Sequence, residues 1–166
     1  MDLDPLTAEQ FGDFVDGLDV PLYVVTTTDG TELSGCLVGF ATQTSIDPPR
    51  LLVCLSEQNH TLRVALRAEL LAVHRLDEEE HGLAELFGGE TGDRTDKFAR
   101  CRWHTGPGGM PLLEGPAAVV GRIIDHRPLG DHVGFLLEPI ALGGGDPSAD
   151  SLTLGDVEDV EPGHSA

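Results

Sequence analysis

The sequence predicts a single, mainly β domain: a small closed or nearly closed barrel with two or three short helices. One observation is a series of short apolar or β-branched runs, separated by turn residues at spacings typical of antiparallel strands. Another is the content of turn formers, 11 prolines and 21 glycines in 166 residues. The length itself suits one domain with a sizeable core.

Residues 1–19 predict a short amphipathic helix that packs on the barrel. Thr7 and Gln10 have the spacing of a capping box, and apolar residues follow at helical spacing. Two strands are predicted next, Val20–Thr28 and Leu33–Phe40, because both runs are rich in β-branched and apolar residues and an Asp-Gly turn signal separates them.

The most informative stretch continues from the second of these strands. Ala41–Ser45 consists of small and hydroxyl-bearing residues, and a corner at Asp47-Pro48-Pro49 separates it from the apolar strand Leu51–Leu55. The run before the corner presents backbone N–H groups and hydroxyls without bulky side chains between them. Such a surface can bind a phosphate-bearing small molecule.

A helix capped by Asn59 or Ser56 is predicted directly after this hairpin. Its first N–H groups would favour a phosphate, since they are free of intrahelical partners. A strand at Leu70–Leu76 follows, and then a helix capped by Asp77 and ended at Gly88.

The second half of the chain is predicted to contain an irregular segment, Gly92–Gly109, and a short extended piece, Pro111–Gly115. Two long strands, Ala117–Ile124 and His132–Ile140, flank a turn. Residues 143–166 predict a disordered tail, because glycine and acidic residues dominate and large apolar residues are few.

The formal net charge of −19 argues against nucleic acid or an anionic membrane as a partner. All lysines and arginines lie between Arg50 and Arg127, so the charge partners of an anionic ligand must come from that middle segment. The first residues show no signal pattern, and a cytoplasmic location is expected. Three widely spaced cysteines predict reduced thiols, and the histidines lack metal-ligand spacing, so no metal site is expected.

Four segments in order carry a family resemblance: Val24–Thr27, Gly35–Pro49, Asp96–Gly115 and Gly130–His132. They contain, respectively, an opening strand, a hydroxyl run with a Pro-Pro corner, an "Asp-basic-Phe … Trp … Pro-Leu-Leu" segment and a Gly-Asp-His turn. Together they resemble the flavin reductase-like family of the FMN-binding split barrels, over residues 20–142.

This resemblance implies a Greek-key FMN-binding split barrel that forms a homodimer, with flavin at the subunit interface. It implies an NAD(P)H-dependent flavin reductase that transfers hydride from nicotinamide to FMN, with FAD and the deazaflavin F420 as alternatives. Reduced flavin would then be supplied to a partner monooxygenase. A second hypothesis is a flavin-binding or F420-binding protein without reductase activity of its own.

The resemblance also implies site residues. The candidate catalytic residue is His132, placed near the nicotinamide or the flavin. The candidate cofactor-binding residues are Val38, Gly39, Phe40, Ala41, Thr42, Gln43, Thr44, Ser45, Asn59, His60, Thr61, Lys97 and Phe98. The chain departs from the family at its usual Thr-x-Asn-Ser, which falls on Leu37–Phe40 and loses three polar side chains. Which flavin is bound therefore stays open.

Overall fold

Seven strands form one antiparallel sheet within residues 3–89 and 96–158, which are the residues that the computed structural model describes. The spatial order is β2 (Leu33–Val38), β1 (Tyr23–Thr28), β5 (Leu70–Arg75), β8 (Ala117–Pro128), β9 (His132–Gly144), β4 (Arg50–Ser56) and β3 (Ala41–Ser45). The predicted strands are found, and the two long ones extend beyond their predicted ends. Two details differ: β2 ends at Val38, so the hydroxyl run is a separate strand and not its continuation, and Trp103–Thr105 forms a short strand within the segment predicted to be irregular.

The sheet curls so that its two ends approach each other. Only Gly39 and Phe40 separate β2 at one end from β3 at the other. Side chains of β2 and β4 meet in a first apolar cluster, where Cys36 and Val38 share the interior with Val53 and Leu55. This first cluster fills the inside of the curled sheet and includes the fully buried ring of Phe135.

The remaining elements cover the sheet. The helices are α1 (Ala8–Val15), α2 (His60–Ala65) and α3 (His81–Gly89); short 3₁₀ helices span Lys97–Arg100, Pro107–Gly109 and Leu154–Val157; and β6 (Trp103–Thr105) pairs with β7 (Pro111–Leu113). α2 and α3 both contact β1 and β2. Within residues 3–89 and 96–158, the helices are all too short or too polar to cross a bilayer.

A second apolar cluster lies on the other face of β1 and β2. Val24 belongs to it, whereas Val25, the next residue along β1, belongs to the first cluster. Successive side chains of a strand point to opposite faces, so β1 is buried on both sides. The second cluster also contains Phe87 of α3 and Phe98.

His74 connects the sheet to the small hairpin from a fully buried position. Its Nδ1 lies 3.0 Å from the carbonyl oxygen of Val24, and its Nε2 accepts the backbone N–H of Leu113 at 3.0 Å. The imidazole is therefore neutral, with its proton on Nδ1. Burial lowers its pKa to about 4, against the opposing effect of the Val24 hydrogen bond.

The predicted disorder of residues 143–166 is wrong for residues 143–158. Leu152 is buried, accepts the N–H of Leu22 at 2.9 Å and donates its own N–H to Leu76 at 2.9 Å. Leu152 and Val157 fill part of the second cluster. The composition of the segment is dominated by glycine and acidic residues, so an average over it gives no weight to these two apolar residues. The rest of the predicted tail, residues 159–166, lies outside the described residues, as do residues 92–95 of the predicted irregular segment.

Two helix predictions differ in detail. The capping box of α1 is confirmed, but none of the helix's residues is buried, so the predicted packing on the barrel is not found in the single chain. Phe11 and Phe14 stack at 5.9 Å and remain 52% and 69% exposed. α3 begins at His81 rather than next to Asp77, whose carboxylate accepts the Glu79 N–H in a preceding turn.

Candidate functional site

The candidate site lies on the outer face of β4 and its two neighbours, β3 and β9. Val53 and Leu55 of β4 point into the first cluster, so the residues between and beside them face outward. On this outer face Ser56 is paired with His132 and Cys54 with Gly134. The backbone thus places the start of β9 beside the end of β4.

Phe40 and His132 meet on this face. The ring centroids are 4.8 Å apart with an interplanar angle of 51°, and Phe40 is 61% exposed. Its carbonyl oxygen accepts the N–H of Cys54 at 2.9 Å, which fixes the backbone. His132 Nδ1 lies 2.7 Å from the carboxylate of Asp131, and this hydrogen bond holds the pKa of Asp131 below its usual range.

The hydroxyl run forms β3, which is an edge strand of the sheet. Ala41 packs against the first cluster, whereas Thr42, Gln43 and Thr44 are exposed. The pairing with β4 shifts between Gln43 and Ser45, where a bulge interrupts the ladder. An exposed edge strand with hydroxyl side chains offers both backbone and side-chain groups to a polar ligand.

The segment before α2 lies at the same end of β9, because the N–H of Glu57 donates to the carbonyl oxygen of Asp131 at 3.0 Å. Of the two predicted caps, Asn59 takes the position, and its side chain accepts the N–H of Thr61 at 2.9 Å. The Thr61 hydroxyl is buried and lies 2.9 Å from that of Ser34. The ring of His60 lies 3.1 Å from a Glu32 carboxylate oxygen. Asn59, His60 and Thr61 thus already hold α2 in place.

Lys97 and Phe98 are not brought to this face. Lys97 is only 5% exposed, and its ammonium group donates to the carbonyl oxygen of Phe87 at 3.0 Å. Phe98 packs edge-on between Phe87 and Trp103 in the second cluster. The family resemblance implied contact with a cofactor, but both side chains lie on the opposite side of β2 from Ser34 and Thr61.

The positions that lost polar side chains mostly point inward. Leu37 packs against the second cluster, and Val38 is buried in the first. Gly39 is half-buried, so Phe40 is the residue of this run whose side chain reaches the outer face. The face fits a flavin in two respects: an aromatic ring is exposed for stacking, and hydroxyls lie next to it. Side-chain donors for the edge of the flavin ring are lacking at these four positions.

Sequence reasoning missed Cys54, Ser56 and Gly134, which line the same face. The sequence identifies Leu51–Leu55 only as an apolar strand, which does not say which of its residues face outward. Strand alternation was the available signal, since every second residue of a strand at the surface of a barrel faces outward.

A separate apolar groove of about 490 Å³ opens near the other end of these strands. Its lining includes Tyr23, Leu51, Val73, Val119 and Leu142. Tyr23 is paired with Val38 and Leu51 with Gln43, so the groove borders the predicted flavin loop. Leu142 is 85% exposed there.

Comparisons of the sequence agree with one another. The family described as "flavin reductase like domain" matches residues 15–156. An FMN reductase (NADH) RutF of Ancylobacter novellus is 29% identical, over 84% of this chain and 78% of the relative. The reductase component of a 4-hydroxyphenylacetate 3-monooxygenase from Escherichia coli is 28% identical, over 78% of this chain and 77% of the relative.

Solved structures show the same fold. An NADH:FAD oxidoreductase, SgcE6, of Streptomyces globisporus has a TM-score of 0.81 at 24% identity and covers 92% of this chain and 91% of its own. An FMN-binding protein of Thermus thermophilus has a TM-score of 0.75 at 23% identity, over 87% of this chain and 79% of its own. At these identities the likeness establishes the arrangement of the strands.

Proposed function

This chain belongs to the flavin reductase-like family, and from that premise we propose that it passes hydride from NADH to FMN at the outer face of β3, β4 and β9. The observation that carries the placement is the convergence of three segments that are distant in sequence. The exposed run from Phe40 through β3, the turn before α2 and the start of β9 meet at this one face.

The chain's own groups divide the binding between them. Phe40 offers a ring face to the flavin, and the hydroxyls of Thr42, Thr44 and Ser45 offer hydrogen bonds to its ribityl phosphate. The nicotinamide supplies a hydride and the flavin accepts it, so no side chain has to act as acid or base. His132, held by Asp131, supports the Phe40 ring from behind and so positions the ring face that the flavin contacts.

The test is a turnover assay with purified protein. NADH oxidation should depend on added FMN. Replacing FMN by FAD or riboflavin measures the flavin specificity, and replacing NADH by NADPH measures the nicotinamide specificity. Thr44→Ala should raise the KM for FMN, whereas Thr105→Ala, the same change at an exposed strand residue of β6, should leave it unchanged. Tight flavin binding without NADH or NADPH oxidation would instead support the non-reductase hypothesis.

We infer further that the curled sheet is the split barrel of this family and that two copies assemble. An eight-residue helix is marginal alone, yet α1 buries none of its residues and exposes Phe11 and Phe14, and the residue Leu18 that follows it is exposed too. The apolar groove has the complementary character, and Arg75 on its rim suits the acidic polar side of α1. The occupant of the groove is therefore α1 of a second copy.

Light scattering tests the assembly. The chain has a mass of 17.6 kDa, and the measured mass of the wild type should be twice this value. Phe14→Glu should shift it to the monomer, because a carboxylate would enter the groove without a partner. Asp13→Glu, one residue earlier in α1, keeps the charge and should leave the dimer intact. A wild type that is monomeric at micromolar concentration would refute the inference.

Reduced flavin is the product of this reaction, and we propose that an oxygenase consumes it. The support is the name of the Escherichia coli relative, a monooxygenase reductase component. The strongly acidic surface favours a partner with a basic docking face. Coupled turnover of reduced flavin by an added oxygenase, at a rate that salt suppresses, is the corresponding measurement.

A further inference from the structure

We propose that Phe40 is the residue that stacks on the isoalloxazine ring, and that it makes the site select flavins by the face of their ring system. This proposal deepens the proposed function and rests on it for the class of ligand. It is motivated by the 61% exposure of a phenylalanine that directly precedes an edge strand. Exposing an aromatic ring costs burial free energy, which a stacked ligand would recover.

The ring of Phe40 is preorganised for this contact. Its backbone is held by the hydrogen bond from Cys54, and its ring is supported by His132 at 4.8 Å. His132 is in turn held by Asp131 at 2.7 Å. A ring fixed from behind loses little side-chain entropy when a ligand binds in front of it.

Apolar surface continues beside Phe40. Gly134 lies next to Cys54 across the β4–β9 pair, and a Cβ atom at Gly134 would come within 2.5 Å of a Leu129 methyl group. The side chains of Leu129 and Leu52 therefore lie over Gly134 and extend the apolar surface that a flat ring system could contact. Thr42 borders the same surface and supplies a hydroxyl at its edge.

Stacking by Phe40 takes the place of side-chain hydrogen bonds to the edge of the flavin ring. The side chains of Leu37 and Val38 are apolar and point into the two apolar clusters, so they offer no hydrogen bonds to the pyrimidine end of a flavin. Riboflavin, FMN and FAD share one ring system and differ only beyond it. The contribution of Phe40 should therefore be the same for all three, and only the phosphate-bearing part should distinguish them.

Quenching of flavin fluorescence measures the dissociation constant directly, without a nicotinamide. Phe40→Ala and Phe40→Leu should each weaken the binding of riboflavin and of FMN by about tenfold, by an equal factor for both ligands. Phe40→Tyr, which keeps the ring, should stay within about twofold of the wild type. Circular dichroism and light scattering verify that each variant keeps its fold and its mass.

Two results would overturn the proposal. One is wild-type affinity in Phe40→Leu, which would mean that apolar area suffices without an aromatic face. The other is unchanged flavin affinity in Phe40→Ala, with or without a change in oligomeric mass; a change in mass would assign the exposed ring to a subunit contact. The fluorescence measurement contains no NADH, so it tests the stacking even if the protein has no reductase activity. If turnover is found but does not depend on Phe40, the stacking proposal is refuted and the reductase function stands.

Discussion

Acid should destabilise this protein through His74, whose neutral imidazole joins β1 to β7 inside the structure. The folded state lowers the pKa of His74 from 6.5 to about 4. Above pH 6.5 the side chain is neutral in both the folded and the unfolded chain, so its contribution to stability is fully present. Between pH 6.5 and pH 4 the unfolded chain takes up a proton and the folded chain does not, so stability is lost across this window.

The magnitude follows from the difference between the two pKa values. At about 1.4 kcal/mol per pKa unit, it corresponds to a loss of about 3 kcal/mol by pH 4. That is a large fraction of the free energy of unfolding of a typical domain, which is about 5–15 kcal/mol. Below pH 4 the folded His74 also takes up a proton, and its contribution to the pH dependence ends.

Urea unfolding at a series of pH values measures this loss of stability. A His74→Gln variant separates the contribution of His74 from the pH dependence that the carboxylates cause. Glutamine keeps one donor and one acceptor but does not titrate in this range. The wild type should lose about 3 kcal/mol more than the variant between pH 7 and pH 4. Parallel pH profiles for the two proteins would refute the neutral, hydrogen-bonded imidazole.

Three further predictions concern other buried or half-buried positions. Leu152→Ala should lower the free energy of unfolding by about 2–5 kcal/mol, seen in urea, because it opens a cavity in the second cluster; a change within error would restore the expectation of a dispensable tail. Lys97→Glu should lower the free energy of unfolding by about 3 kcal/mol or more, because the new carboxylate would face the carbonyl oxygen of Phe87. The flavin affinity of the protein that still folds should stay unchanged. Burial and the Asp77 carboxylate raise the pKa of Glu80 to about 7. Glu80→Gln should therefore raise the free energy of unfolding by about 1 kcal/mol or less at pH 8, and should leave it unchanged below pH 4.5. Equal effects at both pH values would contradict this.

Local signals predicted most of the strands. β1 and β2 are rich in β-branched and apolar residues around an Asp-Gly turn, and their pairing follows from that turn alone. The C-terminal segment could not be predicted in this way. Leu152 is ordered by hydrogen bonds to Leu22 and Leu76, which are far away in sequence, and composition averaged over a tail cannot report such partners.

The candidate site was predictable in part. The hydroxyl run of β3 and His132 were singled out from the sequence, and the structure brings Thr42 of that run and His132 to the same face of the sheet. Their part in binding a cofactor stays a prediction. Lys97 illustrates the limit, since an isolated charge in an irregular segment predicts exposure. Its ammonium is buried because two backbone carbonyl groups happen to lie within reach, and no local pattern encodes that arrangement.

The position of Leu152 has a consequence for how the chain is made. Ribosomes deliver a protein from its first residue onward, and domains tend to fold as they emerge. Here the segment that follows β9 pairs with the approach to β1, with Leu154 donating to the carbonyl oxygen of Val20 at 2.9 Å. The second cluster therefore stays incomplete until residues 152–157 have left the ribosome. Until then Leu22 and Phe87 lack part of their apolar cover, and a chaperone that binds apolar segments would find its targets there.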